Sequence, residues 1–136
     1  MRRALSLTAA ALLAAPTAFA EDYVLSLTGT AMRDYYCQIR VTLENTTDAP
    51  VTEISGFFYN YLDGAEVGRS RGAWFMNVAP GETADAVFET PNAPCEAVER
   101  YEFVVGACRF ETSFVDKGVC AGRLGFTAPL ALAGGE

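Results

Sequence analysis

The residues of this chain best suited to chemistry are four cysteines, Cys37, Cys95, Cys108 and Cys120, in a sequence with no histidine. A thiol can attack a substrate, ligate a metal, exchange electrons or close a bridge, and its surroundings decide which. No Cys-x-x-Cys pair is present, so the spacing of a thiol redox couple is missing. Without imidazole, four scattered thiols would have to form an entire zinc site, and Ser-His-Asp or Cys-His catalysis has no base. Structural bridging is the reading these spacings favour.

Paired carboxylates are the remaining route to catalysis, since two acids with separated pKa values suffice to hydrolyse a glycoside. Asp34, Glu53, Asp85 and Glu89 qualify by type. Their places at turns or on outward strand parity suit a solvated surface better, so the chain is expected to bind rather than catalyse, with no metal and no cofactor. Gly64, Gly68 and Gly72 lie around hairpins and precede no helix, so they form no phosphate cradle. Asn45-Thr46-Thr47 has the spacing of a glycosylation acceptor but reads more simply as a turn.

The compartment is written at the start of the chain. Arg2 and Arg3 precede an apolar run from Ala4 to Ala15, and the segment closes on Ala18-Phe19-Ala20. A short basic region, an apolar stretch too short to span a bilayer and a small-x-small end define a cleavable secretory signal, with cleavage expected after Ala20. All four cysteines follow that point and would meet an oxidising compartment, the periplasm or the exterior. Cleavage leaves 21–136, enough for a single domain over 21–126 and a flexible tail over 127–136. It also removes two of the 10 basic residues and none of the 17 acids, changing the formal charge from −7 to −9. So acidic a domain has little to offer nucleic acid or anionic lipid. No later apolar run is long enough to insert the mature protein in a membrane.

The elements that must position these residues have a period of two, the pattern of half-buried strands. Tyr35, Cys37, Ile39, Val41 and Leu43 share one parity, against Gln38, Arg40, Thr42 and Glu44. Tyr101, Phe103, Val105 and Ala107 repeat the pattern. Strands are expected near 22–30, 35–45, 51–61, 65–71, 73–78, 83–90, 98–110 and 119–127. Asn45 to Pro50, Ala79-Pro80-Gly81-Glu82 and Pro91-Asn92-Ala93-Pro94 read as turns, and Asp63-Gly64 as a tight hairpin. Seven to eight short strands at such spacing indicate an all-β, two-sheet antiparallel sandwich of immunoglobulin-like type.

Four cysteines allow three pairings. Cys37 shares the inward parity of Ile39 and Val41, whereas Cys108 shares that of Arg100 and Glu102 and is expected to point out. That argues against a cross-core Cys37–Cys108 bridge and favours Cys37–Cys95 with Cys108–Cys120.

Within 39–90, Val41-Thr42-Leu43-Glu44-Asn45, then Phe58-Tyr59-Asn60-Tyr61-Leu62-Asp63-Gly64, then Ala79-Pro80-Gly81-Glu82, make a succession of strand, Asn turn, aromatic hairpin and Pro-Gly-Glu turn. This succession resembles the FxLYD-type periplasmic or cell-surface β-sandwich domains. Tyr59 takes the Phe place and Tyr61-Leu62 inverts the Leu-Tyr order. The resemblance implies an adhesion or accessory module and brings no catalytic residues with it.

One candidate binding surface lies mid-chain. Ile54 and Phe58 share one strand face, and Phe57, Tyr59 and Tyr61 the other. After the Asp-Gly turn, Trp74, Met76 and Val78 stand opposite Arg69, Arg71 and Phe75. With the Trp74 side as core, the outer face gathers Phe57, Tyr59, Tyr61, Arg69, Arg71 and Phe75, residue types enriched at interface hot spots. The function expected is a secreted, non-catalytic envelope module that engages a protein partner through this face or a sheet edge. The alternative is a small-ligand or glycan binder stacking on Tyr59, Tyr61 and Trp74.

Overall fold

The computed structural model describes residues 21–91 and 93–134, so the secretory signal expected over 1–20 lies outside them. The strands are β1 Tyr23–Arg33, β2 Tyr36–Asn45, β3 Val51–Leu62, β4 Ala65–Arg69, β5 Ala73–Val78, β6 Thr83–Pro91, β7 Arg100–Phe110, β8 Ser113–Val115, β9 Leu124–Phe126 and β10 Leu130–Leu132. A 3-10 turn occupies Cys95–Ala97, and a five-residue helix, α1, spans Lys117–Ala121.

They form two sheets. The four-stranded sheet runs β6-β2-β1-β9. In the six-stranded sheet β10-β7-β3 continues into β4 and β5, which share the far edge of β3, and β8 flanks β7. The fold is an all-β sandwich, as the strand period implied. Two features depart from a purely antiparallel one of seven or eight strands: β9 pairs parallel with β1, and β10 parallel with β7.

Alternation decides what each sheet buries. Cys37, Ile39, Val41 and Leu43 of β2 are fully buried, while Arg40 and Glu44 face out. Across from them lie Ile54, Phe58, Phe75, Tyr101 and Phe103. Phe58 joins the layers, edge-on to Phe88 at 4.7 Å between ring centroids and tilted against Phe103 at 5.0 Å. Burial pushes the Tyr101 hydroxyl up to about 12, which keeps its proton available 3.6 Å from Cys37 Sγ.

Turn chemistry sets the register. Asp63 and Gly64 both take positive φ, 49° and 75°, so Leu62 pairs directly with Ala65. Asn45 is buried at the corner between β2 and β3, where Nδ2 donates to the Ala49 and Val78 carbonyls at 2.9 and 3.0 Å. Its Oδ1 accepts from the Thr47 backbone at 3.0 Å and the Thr47 hydroxyl at 2.7 Å. With both amide hydrogens committed, the Asn-Thr-Thr sequence is a structural corner. Asn45→Ala would strand these partners and is expected to destabilise by about 2 kcal/mol, read as a lower urea midpoint at unchanged m.

Three expectations about side-chain direction and chain order are corrected. Ser55 pairs with Ala107 but Gly56 with Val105, so Gly106 is an extra residue in β7. That bulge reverses the parity beyond it, and Cys108 points into the core, 1% exposed. The region near 119–127 is no continuous strand, because Asp116 accepts from the Gly118 N–H at 2.8 Å and starts α1, leaving only Leu124–Phe126 extended. The segment after Thr127, expected to fray, carries β10, whose Leu130 is buried beside Tyr101.

The bridges join Cys37 to Cys95 and Cys108 to Cys120, with Cα–Cα distances of 5.0 and 6.1 Å. This is the preferred pairing, although Cys108 reaches it from the inside, where α1 delivers a fully buried Cys120.

Candidate functional site: an aromatic sheet face and an edge groove

The outer face of the six-stranded sheet is set by β3, which sends Ile54 and Phe58 inward and Phe57, Tyr59 and Tyr61 outward. Cross-strand register lays out the rest. Tyr61 stands beside Arg100, Tyr59 between Glu102 and Arg69, and Phe57 beside Val104. Ser55 lies between Ala107 and Trp74, and Glu53 between Arg109 and Met76.

Arginines cover three of the rings. The Arg69 guanidinium lies 4.6 Å from the centre of Phe57, Arg100 lies 4.0 Å from Tyr61, and Arg109 lies 5.4 Å from Phe114. Arg100 is fixed by Glu102 at 2.7 Å, a bond that raises its pKa. Desolvation pushes the Tyr61 hydroxyl up; Glu102 and Glu66 add to this and Arg100 opposes it. Phe57, Tyr59 and Tyr61 are half-buried, whereas Trp74 is 61% exposed and Phe114 65%.

Two of the expected face residues belong elsewhere. Phe75 is a core residue, 1% exposed, because β5 turns Phe75 inward and Trp74 and Met76 outward, the reverse of the expectation for these three, while Val78 is buried as expected. Arg71 is on the connection between β4 and β5 and lines an edge groove with Tyr36, Arg69, Glu89 and Pro91. The condition that the Trp74 side is the core thus fails: β5 keeps Val78 buried while Trp74 and Met76 turn outward, and the positive φ of Asn77 (51°) stands between the two parities.

The groove lies where β4 of one sheet approaches β6 of the other. Gly68 permits this approach: a Cβ there would stand 3.1 Å from both Asn60 Oδ1 and the Pro91 carbonyl. Asn60, fully buried, donates through Nδ2 to Pro91 O at 3.1 Å and ties the two sheets together. A second groove, on the four-stranded sheet, is lined by Gly29, Thr30, Ala31, Arg33, Gln38, Arg40 and Val87.

The four carboxylates considered for catalysis are dispersed. Asp34 is in the β1–β2 turn at φ 52°, and Glu53 is on the outer face of β3. Asp85 is held by the Thr42 hydroxyl at 2.7 Å and Arg40 at 3.7 Å, and Glu89 borders the groove. Asp85 and Glu89 are four residues apart on one strand, roughly 13 Å, wider than glycosidase pairs. Among the described residues, no group of three or more acids or cysteines is placed to hold a metal ion, and no helix is long and apolar enough to cross a membrane.

Sheet order, bridges and an arginine-covered face define a two-sheet, disulfide-linked β-sandwich with an outward aromatic surface. The solved structure of IrmA from Escherichia coli is similar to it, with a TM-score of 0.59 and 15% sequence identity over 78% of this chain and 91% of that one. That likeness is one of fold. No family model matches the chain, and no curated protein matches it significantly. The FxLYD-like resemblance accordingly has no family model behind it.

Proposed function

We propose that this protein is a periplasmic or secreted, immunoglobulin-like accessory module of the cell envelope that acts by binding another envelope protein, without catalysis, through the outer face of the six-stranded sheet. The observation that carries the reading is Trp74, a large aromatic 61% exposed, in register with an arginine-covered aromatic row. Isolated exposed apolar residues are ordinary, but Trp74, Met76, Phe57, Tyr59 and Phe114 occupy the outer side of one sheet. Aromatic and arginine side chains give most per residue when a partner removes them from water. Two disulfides in the fold support an oxidising compartment.

A glycan or small ligand would seek a concavity containing the stacking residues. Neither groove described above includes Tyr59, Tyr61 or Trp74 in its lining, which favours the protein partner.

The test is in-cell crosslinking and affinity capture of the tagged, oxidised protein beside a Trp74→Ala/Tyr59→Ala variant. The thermal midpoint of the variant is expected to move little, because Trp74 is exposed and Tyr59 only half-buried. Capture of one discrete envelope protein is expected to fall by about tenfold or more, as when interface anchors are truncated. Equal capture by a folded variant would remove this face from the function.

A further inference from the structure

We infer that the groove between β4 and β6 is a second recognition site, sharing Arg69 with the aromatic face but otherwise built from different residues, that takes the C-terminal residue of an extended peptide. Its carboxylate would meet Arg69 and Arg71, and its apolar side chain would rest on Tyr36 and Pro91.

The argument begins with Ser70. This serine is 3% exposed, and its backbone N–H donates to Phe58 O at 2.7 Å. Its hydroxyl accepts from the Phe58 N–H at 2.9 Å and donates to Arg71 O at 2.8 Å. The backbone is thus pinned between Arg69 and Arg71, which both root at the groove from a fixed point. The opposite wall is held by Asn60 through Pro91 O and by the close approach of Gly68. With the backbone fixed on both sides, the ordering cost of binding is confined to the exposed Arg69 and Arg71 side chains.

Charge then selects the ligand. Among the described residues neither Arg69 nor Arg71 pairs with a carboxylate, in a chain with 17 acids and only 10 bases. Planar guanidinium groups match a carboxylate with two parallel N–H bonds. Glu89 in the same lining reduces the groove to one net positive charge, which suits a monoanion better than a phosphate dianion. That carboxylate can also accept from the amide N–H of the ligand's terminal residue. The volume is about 210 Å³, below the roughly 300 Å³ at which small-molecule sites begin, and suited to a single residue.

The probe is N-acetyl-Gly-Ser-Ala-Leu with a free carboxylate, titrated into the mature oxidised protein by NMR beside the same peptide as its C-terminal amide. Saturable shifts are expected at the Tyr36, Gly68, Arg71 and Glu89 amides with the free acid. Binding should weaken by about tenfold or more with the amide or with Arg71→Gln, the scale of losing a charge-assisted fork. A Trp74→Ala protein should bind the peptide unchanged, so failure of the aromatic-face reading and failure of this one give different results. Equal binding of acid and amide, no saturable binding of either, or inorganic phosphate binding as tightly as the peptide would overturn the inference. The acid–amide comparison is made on the unmodified protein, so it stands whatever Arg71→Gln does to folding.

Discussion

Gly56→Ala is expected to cost about 3 kcal/mol of stability, at the upper end for overpacking of a core by one methyl. A Cβ on Gly56 would run into the Val104 carbonyl oxygen and stand 2.5 and 2.8 Å from two ring atoms of Phe103. Neither obstacle can withdraw. Val104 O is backbone in the strand beside β3, and Phe103 is fully buried between Phe58 and Phe126, at 5.0 and 6.1 Å between ring centroids. Gly56 also sits opposite the β7 bulge, so moving it shifts the register that turns Cys108 inward. Urea denaturation measures the loss, with Gly72→Ala as the control. At Gly72 an added Cβ meets only Gly56 O at 3.6 Å, an ordinary contact. A Gly56→Ala midpoint equal to that of the control would show that β3 and β7 are less tightly apposed than described.

Replacing Cys37 and Cys95 together with alanine is expected to cost about 4 kcal/mol, against about 3 kcal/mol for the Cys108/Cys120 pair. The ranking follows from the loops closed, with sequence separations of 58 and 12 residues. The longer loop restrains the unfolded chain more. Packing opposes this ranking, because Cys108 and Cys120 are both buried whereas only Cys37 of the other pair is, so the order expected is the one set by loop length. Both double variants and the oxidised parent would be compared by thermal unfolding, with excess reductant on the parent giving the loss of both bridges together. A larger loss from the short loop would mean that α1 depends on its bridge more than chain entropy allows.

Much of this architecture is legible from alternation and turns. The Asp63-Gly64 turn announces the β3–β4 hairpin, because few dipeptides take two consecutive positive φ angles so readily. β2 alternates without interruption, so its inward set can be read residue by residue. The errors of side-chain direction have one cause: the period of two is a local rule, and single residues can shift its phase. Gly106 does so in β7, where parity counted from Tyr101 gives the wrong side for Cys108. In β5 six residues carry too few alternations to tell Trp74 from Phe75, and the choice is made by Phe88 in the opposite sheet, 6.4 Å from Phe75 between ring centroids.

The candidate sites divide in the same way. The outward set Phe57, Tyr59 and Tyr61 follows from parity within one strand, and so appears in the sequence. The groove does not, because Tyr36, Arg71 and Glu89 come from three different segments. Two signals point toward it in retrospect: Ser70, a polar residue flanked by arginines, and Gly68, where a side chain would hold the sheets apart.

The two short parallel strands have a consequence for how this molecule can associate. β9 lies against β1 and β10 against β7, so the last described turn of chain occupies one flank of both sheets. On the opposite flank β6 pairs only with β2, and β4 and β5 only with β3. Asn45 N–H donates to Glu82 O, and by alternation from that bond the backbone groups of Asp85, Val87 and Glu89 face away from β2. Strand-to-strand contact with another chain is therefore biased among the described residues: β9 covers β1 at Tyr23–Leu25 and β10 covers β7 at Tyr101–Phe103, whereas the free edge of β6, on the side that holds the groove, carries no strand along its length.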